Sequence, residues 1–197
     1  MKVLALTGSI ACGKSIVAEM LSELGAVVVD SDKVSRDAVS KGNDILEKIK
    51  EAFGKFVLNP DGSLNRTVMG EIVFNSPNKM KLLNSIIHPA IIDELKKEIK
   101  KNEKAGTKIL IIEVPLLYEV GFKGLAEKVI VVHSDEDKQI KRLMERNNLS
   151  YNEAVIRIKS QIPSAKKAEM ADYVVNNNSD ADALKAEVGK LWEEISK

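Results

Sequence analysis

Near the start of the chain, Gly8-Ser9-Ile10-Ala11-Cys12-Gly13-Lys14-Ser15 sets two glycines five positions apart and follows the second with a lysine and a hydroxyl residue. The spacing has a physical reason. A loop that turns its backbone N–H groups inward around a phosphate needs the curvature that glycine permits. A helix starting at about Gly13–Lys14 adds the partial positive charge of its first turn. Lys14 can then reach the β- and γ-phosphates, and the Ser15 hydroxyl can ligate Mg²⁺. The flanks agree. The apolar run Val3–Leu6 stops at Thr7-Gly8, and Lys14–Leu24 carries Val17, Met20, Leu21 and Leu24 at a helical period before Gly25. Strand, loop and helix in this order make a phosphate-binding loop for a nucleoside triphosphate.

The remaining pattern fits the α/β class that such a loop requires. Ala26–Val29 is closed by Asp30-Ser31-Asp32, Ile109–Ile112 and Val129–Val132 are continuous apolar runs, and Tyr173–Val175 is a weaker one. Helix-period segments separate them. Runs without polar alternation predict parallel strands covered on both faces, hence a three-layer α/β fold with a five-stranded parallel sheet. The 197 residues are 44% hydrophobic and 30% charged, a globular composition. Thirty basic against 29 acidic residues leave a formal net charge of +1, which argues against nucleic-acid binding by bulk charge. Cys12 is the only cysteine, so an intrachain disulfide is excluded and a reducing cytoplasm suits the chain. The run before Gly8 is too short for a signal-peptide core, and the longest apolar runs fall far below the ~18 residues of a membrane span. The expectation is a cytoplasmic protein without nucleic-acid, membrane or obligatory protein partner.

The middle of the chain differs. Between Asp32 and Lys108 no strand is convincing, whereas Ile45–Phe53, Asn65–Phe74 and Pro77–Lys101 read as helices. We expect residues 33–107 to be a helical insertion in a core made of 1–32 and 108–197. Its job is either to hold a second ligand or to cover the core. Farther on, Ser150 and Glu153 fit a capping box that starts a helix near Tyr151. Asp180–Ile195 is a closing amphipathic helix, with Trp192 as packing.

Which kind of triphosphate protein this is can be narrowed. The D-x-x-G and N/T-K-x-D signatures of a GTPase are missing, and a large ATPase motor needs more chain. A small-molecule kinase remains. Asp30 and Asp32 end the second strand, the edge where ligands sit in open α/β sheets, and a carboxylate there can orient or accept the proton of an attacking hydroxyl. Both also suit the start of a helix near Lys33. Glu113 follows the Ile109–Ile112 strand, where an acid can ligate Mg²⁺ or simply meet solvent. Lys138, Lys141, Arg142, Arg146, Arg157 and Lys159 form a later basic group. Arginines of a mobile segment at about 138–168, a lid, can stabilise the charge of phosphoryl transfer, and Arg142 and Arg146 share a helix face.

Taken together and in this order, the residues resemble the dephospho-CoA kinase family over nearly the whole chain. Leu6-Thr7-Gly8-Ser9-Ile10 with Gly13-Lys14-Ser15 resembles its opening loop, and Val29-Asp30-Ser31-Asp32 its D-x-D segment. Ile87-His88-Pro89 resembles its L-H-P segment, and Val114-Pro115-Leu116-Leu117-Tyr118-Glu119 its V-P-L-L-F-E stretch. Arg157 with Gln161 resembles its R-x-x-x-Q segment, and Ala171–Asn177 its A-D-x-V-I-x-N end. The resemblance implies a P-loop kinase fold with a helical acceptor-binding insertion and a lid. It implies transfer of the ATP γ-phosphate to the ribose 3′-hydroxyl of dephospho-CoA, the last step of coenzyme A synthesis, with ATP and Mg²⁺ as cofactors. Related nucleoside or nucleotide kinases and a non-enzymatic ATP-binding switch are the alternatives.

By the same resemblance Asp32, Lys14 and Arg142 are catalytic, Asp32 as base or hydroxyl-orienting group. Gly8, Ala11, Cys12, Gly13, Lys14, Ser15, Ile16, Arg142 and Asn177 hold the nucleotide. Asp32, His88, Pro89, Pro115, Leu116, Leu117, Arg157 and Gln161 meet the acceptor. Ser15 and Glu113 take the metal. The chain departs from the family's usual glycine at position 9, glycine or similar small residue at 11 and threonine at 16, having Ser9, Ala11 and Ile16 there. Asn147 stands where an aspartate is common.

Overall fold

A computed structural model describes residues 1–40, 42–120 and 122–197. The five strands are β1 (Lys2–Thr7), β2 (Val27–Asp30), β3 (Ile109–Glu113), β4 (Lys128–His133) and β5 (Tyr173–Asn176). They form one sheet in the order β2-β3-β1-β4-β5, every neighbouring pair parallel. The helices are α1 (Lys14–Glu23), α2 (Ser31–Ala38), α3 (Asp44–Phe53), α4 (Arg66–Phe74), α5 (Pro77–Lys104), α6 (Leu117–Val120), α7 (Glu136–Asn147), α8 (Tyr151–Lys159), α9 (Ser164–Glu169) and α10 (Ala181–Ile195).

The chain divides into two compact units. The first comprises Met1–Asp30 and Ile99–Lys197, the second Ser31–Glu98. In the first unit the sheet's core is what the apolar runs require. Leu4, Leu6, Ile109, Ile111, Ile130 and Val132 pack against Val17 and Leu21 of α1 and Leu184, Val188, Leu191 and Ile195 of α10. Trp192 packs against this cluster, a structural role. Alternate strand residues such as Leu110, Ile112 and Val131 are also buried, so both faces of the sheet are covered. The parallel register brings strand ends together: Glu113 lies beside Leu6 on one side and Asp30 on the other.

The second unit is helical. Val39, Ile49, Phe53, Val57, Met69, Val73 and Leu83 make its core. The one bridge outside the sheet among the described residues pairs Leu58 with Leu64 around the Pro60-Asp61-Gly62 turn. Asn43 caps α3 and Asn65 caps α4, each accepting a backbone N–H of the first turn. The long α5 carries Pro89 in its interior. His88 is thus in mid-helix.

Candidate phosphate-binding site

The loop from Gly8 to Gly13 joins β1 to α1 at the C-terminal edge of the sheet, beside the point where the strand order reverses around β1. Two glycines are obligatory for local reasons. At Gly8, φ is 156°, and a Cβ would stand 2.5 Å from the Val132 carbonyl oxygen. At Gly13, φ is 90°, and a Cβ would run into the Asn177 carboxamide. Gly13 also stands at the N-cap of α1, where it brings no side chain to cap the helix, and the first turn contains no acid. The first-turn N–H groups and Lys14 therefore make an electropositive pole. The Lys14 ammonium lies over the loop, donating to the carbonyls of Gly8 at 2.9 Å and Ser9 at 3.4 Å. Ser15 and Ile16 are exposed on this first turn.

The crown of the loop is tied down from far away in sequence. The Ser9 hydroxyl donates to the Ile162 carbonyl at 2.8 Å. The Ile10 N–H donates to Gln161 Oε1 at 2.9 Å, and Gln139 Nε2 donates to the Ile10 carbonyl at 2.7 Å. Ala11 is left-handed, with φ 59°. Cys12 is fully buried, its sulfur 3.4 Å from the Ser164 hydroxyl. With its side chain enclosed, only its backbone can meet a phosphate.

A second set of bonds ties the loop to the ends of β4 and β5. Asn177 is buried, and its Nδ2 donates to the Cys12 carbonyl at 2.8 Å. Arg142 of α7 donates to the Asn177 backbone oxygen at 3.0 Å, to Asn177 Oδ1 at 3.3 Å and to the Ser134 hydroxyl at 3.1 Å. The predicted nucleotide-binding pair is thus joined, and through Asn177 it reaches the loop backbone. Arg146 instead donates to Asn147, its neighbour.

Sequence reasoning missed several residues here. His133 ends β4, with Nδ1 3.0 Å from the Ser164 hydroxyl and Nε2 3.5 Å from Asp135. Together with Ser9, Gln139, Gln161 and Ser164 it lines a cleft of about 370 Å³ beside the loop. Lys167 of α9 is fully buried, paired with Glu119 at 2.8 Å and donating to the Pro115 carbonyl at 3.4 Å. Pro115 also accepts from the Thr7 hydroxyl at 3.3 Å. A strand-end polar residue such as His133 could have been singled out, whereas nothing local marks Lys167.

The predicted acceptor residues divide. Pro115 is half-buried, Leu116 exposed, and Leu117 fully buried, so the Leu117 side chain packs the core and leaves only backbone for a ligand. Arg157 is exposed on α8, while the Gln161 amide oxygen is engaged with the loop. Asp32, in the first turn of α2, and His88 and Pro89, on α5, belong to the second unit. Burial pushes the His88 imidazole below the ordinary histidine range. Ser15 and Glu113 offer a hydroxyl and a carboxylate, hard oxygen donors suited to Mg²⁺. Among the described residues no cluster of three or more His, Cys, Asp or Glu could hold a metal ion. No helix among the described residues is long and apolar enough to cross a membrane.

Known proteins agree with this geometry. The family model described as dephospho-CoA kinase matches residues 2–183. A dephospho-CoA kinase of Staphylococcus epidermidis is 45% identical over 193 residues, covering 98% of this chain and 95% of its own. The solved dephospho-CoA kinase from Campylobacter jejuni superposes with a TM-score of 0.74 at 32% identity, over 100% of this chain and 98% of its own. A shikimate kinase from Acinetobacter baumannii, at 16% identity and TM-score 0.56 over 99% and 93% of the two chains, shares the fold alone. With a phosphate loop of this construction and a match across nearly its whole length, the chain belongs to the dephospho-CoA kinase family.

Proposed function

We propose that the chain phosphorylates the ribose 3′-hydroxyl of dephospho-CoA with ATP, giving coenzyme A and ADP. The observation that carries this is the family match across residues 2–183, on a chain whose phosphate loop is assembled. In the reaction the hydroxyl oxygen attacks the γ-phosphorus. The bond from that phosphorus to the β,γ-bridging oxygen breaks, and its electron pair leaves with ADP. The hydroxyl proton passes to Asp32. There is little covalent chemistry for the protein to do, so its contribution is positioning and electrostatics.

The residues divide that work. Gly8, Gly13 and the first-turn N–H groups of Lys14, Ser15 and Ile16 cradle the β- and γ-phosphates, and the backbone of Ala11 and Cys12 completes the loop. Lys14 turns from the loop carbonyls to the phosphates and stabilises the charge that develops on the transferring group. Arg142 and Asn177, joined to each other and to Cys12, support the nucleotide side. Ser15 and Glu113 would hold Mg²⁺, which supplies neutralisation of phosphate charge. For the acceptor we propose Asp32, His88, Pro89, Arg157 and the Pro115–Leu117 backbone, with the second unit as the acceptor-binding insertion and α7–α9 as the lid.

The role of Asp32 rests on its resemblance to the family's D-x-D segment and on the chemistry of a carboxylate following a strand end. It is tested by Asp32→Asn, which keeps the shape and removes the base. Turnover should fall by about a thousandfold or more while ATP affinity stays within about twofold. Turnover near that of the wild type would remove Asp32 from this role.

A further inference from the structure

We propose that Gln139 and Gln161 are positioning residues of the phosphate loop: they grip the two polar groups of the Ile10 backbone and thereby aim the Ala11 N–H at the nucleotide. This rests on the reading that the loop holds ATP. Gln139 is 2% exposed, a buried amide on α7 whose Nε2 donates to the Ile10 carbonyl at 2.7 Å. Gln161, just beyond α8, accepts the Ile10 N–H at 2.9 Å. The side chains of Ile10 and Ala11 pack against Ile140, Leu143, Ala154 and Ile158, the core shared by α7 and α8. Ile10 is therefore held from α7 and from the turn after α8, by two hydrogen bonds and an apolar contact.

Peptide geometry gives the grip its consequence. In a planar trans peptide, C=O and N–H point in opposite directions. Drawing the Ile10 carbonyl toward Gln139 turns the Ala11 N–H away from α7. Ala11 is left-handed at φ 59°, a conformation that alanine holds only when its surroundings impose it. Released from Gln139, the Ile10–Ala11 peptide is free to rotate toward a more favourable conformation and carry its N–H away from the phosphate. The two glutamines act on different groups. Gln139 serves as donor and Gln161 as acceptor, and neither needs to touch the nucleotide.

Replacing each with methionine, which is similar in length but lacks the amide, tests the proposal on the full chain. Mg²⁺-ATP is titrated by calorimetry, KM for dephospho-CoA is measured in turnover, and Tm is recorded without ligand. The ATP Kd should rise roughly tenfold in each variant, with KM for dephospho-CoA within about twofold of wild type in Gln139→Met. In the double variant the rise should fall short of the product of the two, because a loop already released from one side has less to lose. A purely structural role would lower Tm and leave the ATP Kd within about twofold of wild type, and that result overturns the proposal. Should Gln139→Met not fold, Gln161→Met decides alone. The titration needs no acceptor, so a wild-type protein that binds ATP but ignores dephospho-CoA would defeat the proposed reaction and leave this test intact.

Discussion

Ala11 shows how a single residue can report the strain of a site. Its left-handed φ of 59° costs an alanine roughly 1–2 kcal/mol. A glycine there avoids this but loses more entropy on folding, about 0.5–1 kcal/mol. Glycine also gives up the methyl contact with the core of α7 and α8, worth up to about 0.8 kcal/mol, so the effects nearly cancel and Ala11→Gly should leave Tm within about 2 °C of wild type in thermal melts. Gly8 is the reverse case. A methyl group there meets the Val132 carbonyl at 2.5 Å, backbone that cannot step aside. Gly8→Ala should cost about 2 kcal/mol, a drop of roughly 4–8 °C in Tm. The glycines, Lys14 and Ser15 were legible in the sequence because their chemistry is local and their spacing is the signal. The partners of Ile10 were not. Gln139 lies 129 residues away and Gln161 lies 151, and nothing near either residue records which peptide it meets.

Elements divide along the same line. The capping box at Ser150 formed as its spacing predicts, with Ser150 accepting from the Glu153 N–H and Glu153 accepting from the Ser150 N–H. Ser150→Ala should cost about 1 kcal/mol, measurable as a lower urea midpoint. The four-residue α6 and six-residue α9 are too short for a helical period to show, and tertiary contacts hold them. The ion pair of the buried Lys167 on α9 with the exposed Glu119 on α6 is one such contact. Lys167→Met should destabilise by about 1 kcal/mol, because α9 loses its tie to α6 while the exposed Glu119 is rehydrated. On α5, burial lowers the His88 pKa. Above the ordinary histidine pKa of about 6.5 neither folded nor unfolded state is protonated there. As pH falls between that value and the lowered one, the unfolded state takes the proton first and stability is lost. His88→Gln should therefore flatten the acid side of the stability profile, seen by comparing urea midpoints at about pH 7.5 and 5.5.

For the whole molecule, five apolar runs without alternation were enough to anticipate a parallel sheet in three layers, because burial on both faces removes the polar positions. Strand order was not legible. It depends on how β3, some eighty residues after β2, inserts between β2 and β1, and the register that sets Glu113 beside Asp30 and Leu6 follows only from that insertion. The same order puts β1 at the centre of the sheet, with its exit at the edge where an open α/β sheet binds ligands. The second compact unit runs over Ser31–Glu98, where sequence periodicity drew an insertion of residues 33–107. Helix α5 continues past Glu98, so its hydrophobic period gives no sign of where one unit ends. At this scale the loop is an ATP site by proposal and dephospho-CoA the proposed acceptor. The most direct measurement mixes the purified protein with Mg²⁺-ATP and dephospho-CoA, follows ADP release and coenzyme A formation, and runs adenosine, AMP and uridine in parallel. Coenzyme A formed in step with ADP, and ADP release confined to dephospho-CoA, is the predicted result. ADP release with another acceptor in its place, or none with any acceptor in protein that binds ATP, would contradict it.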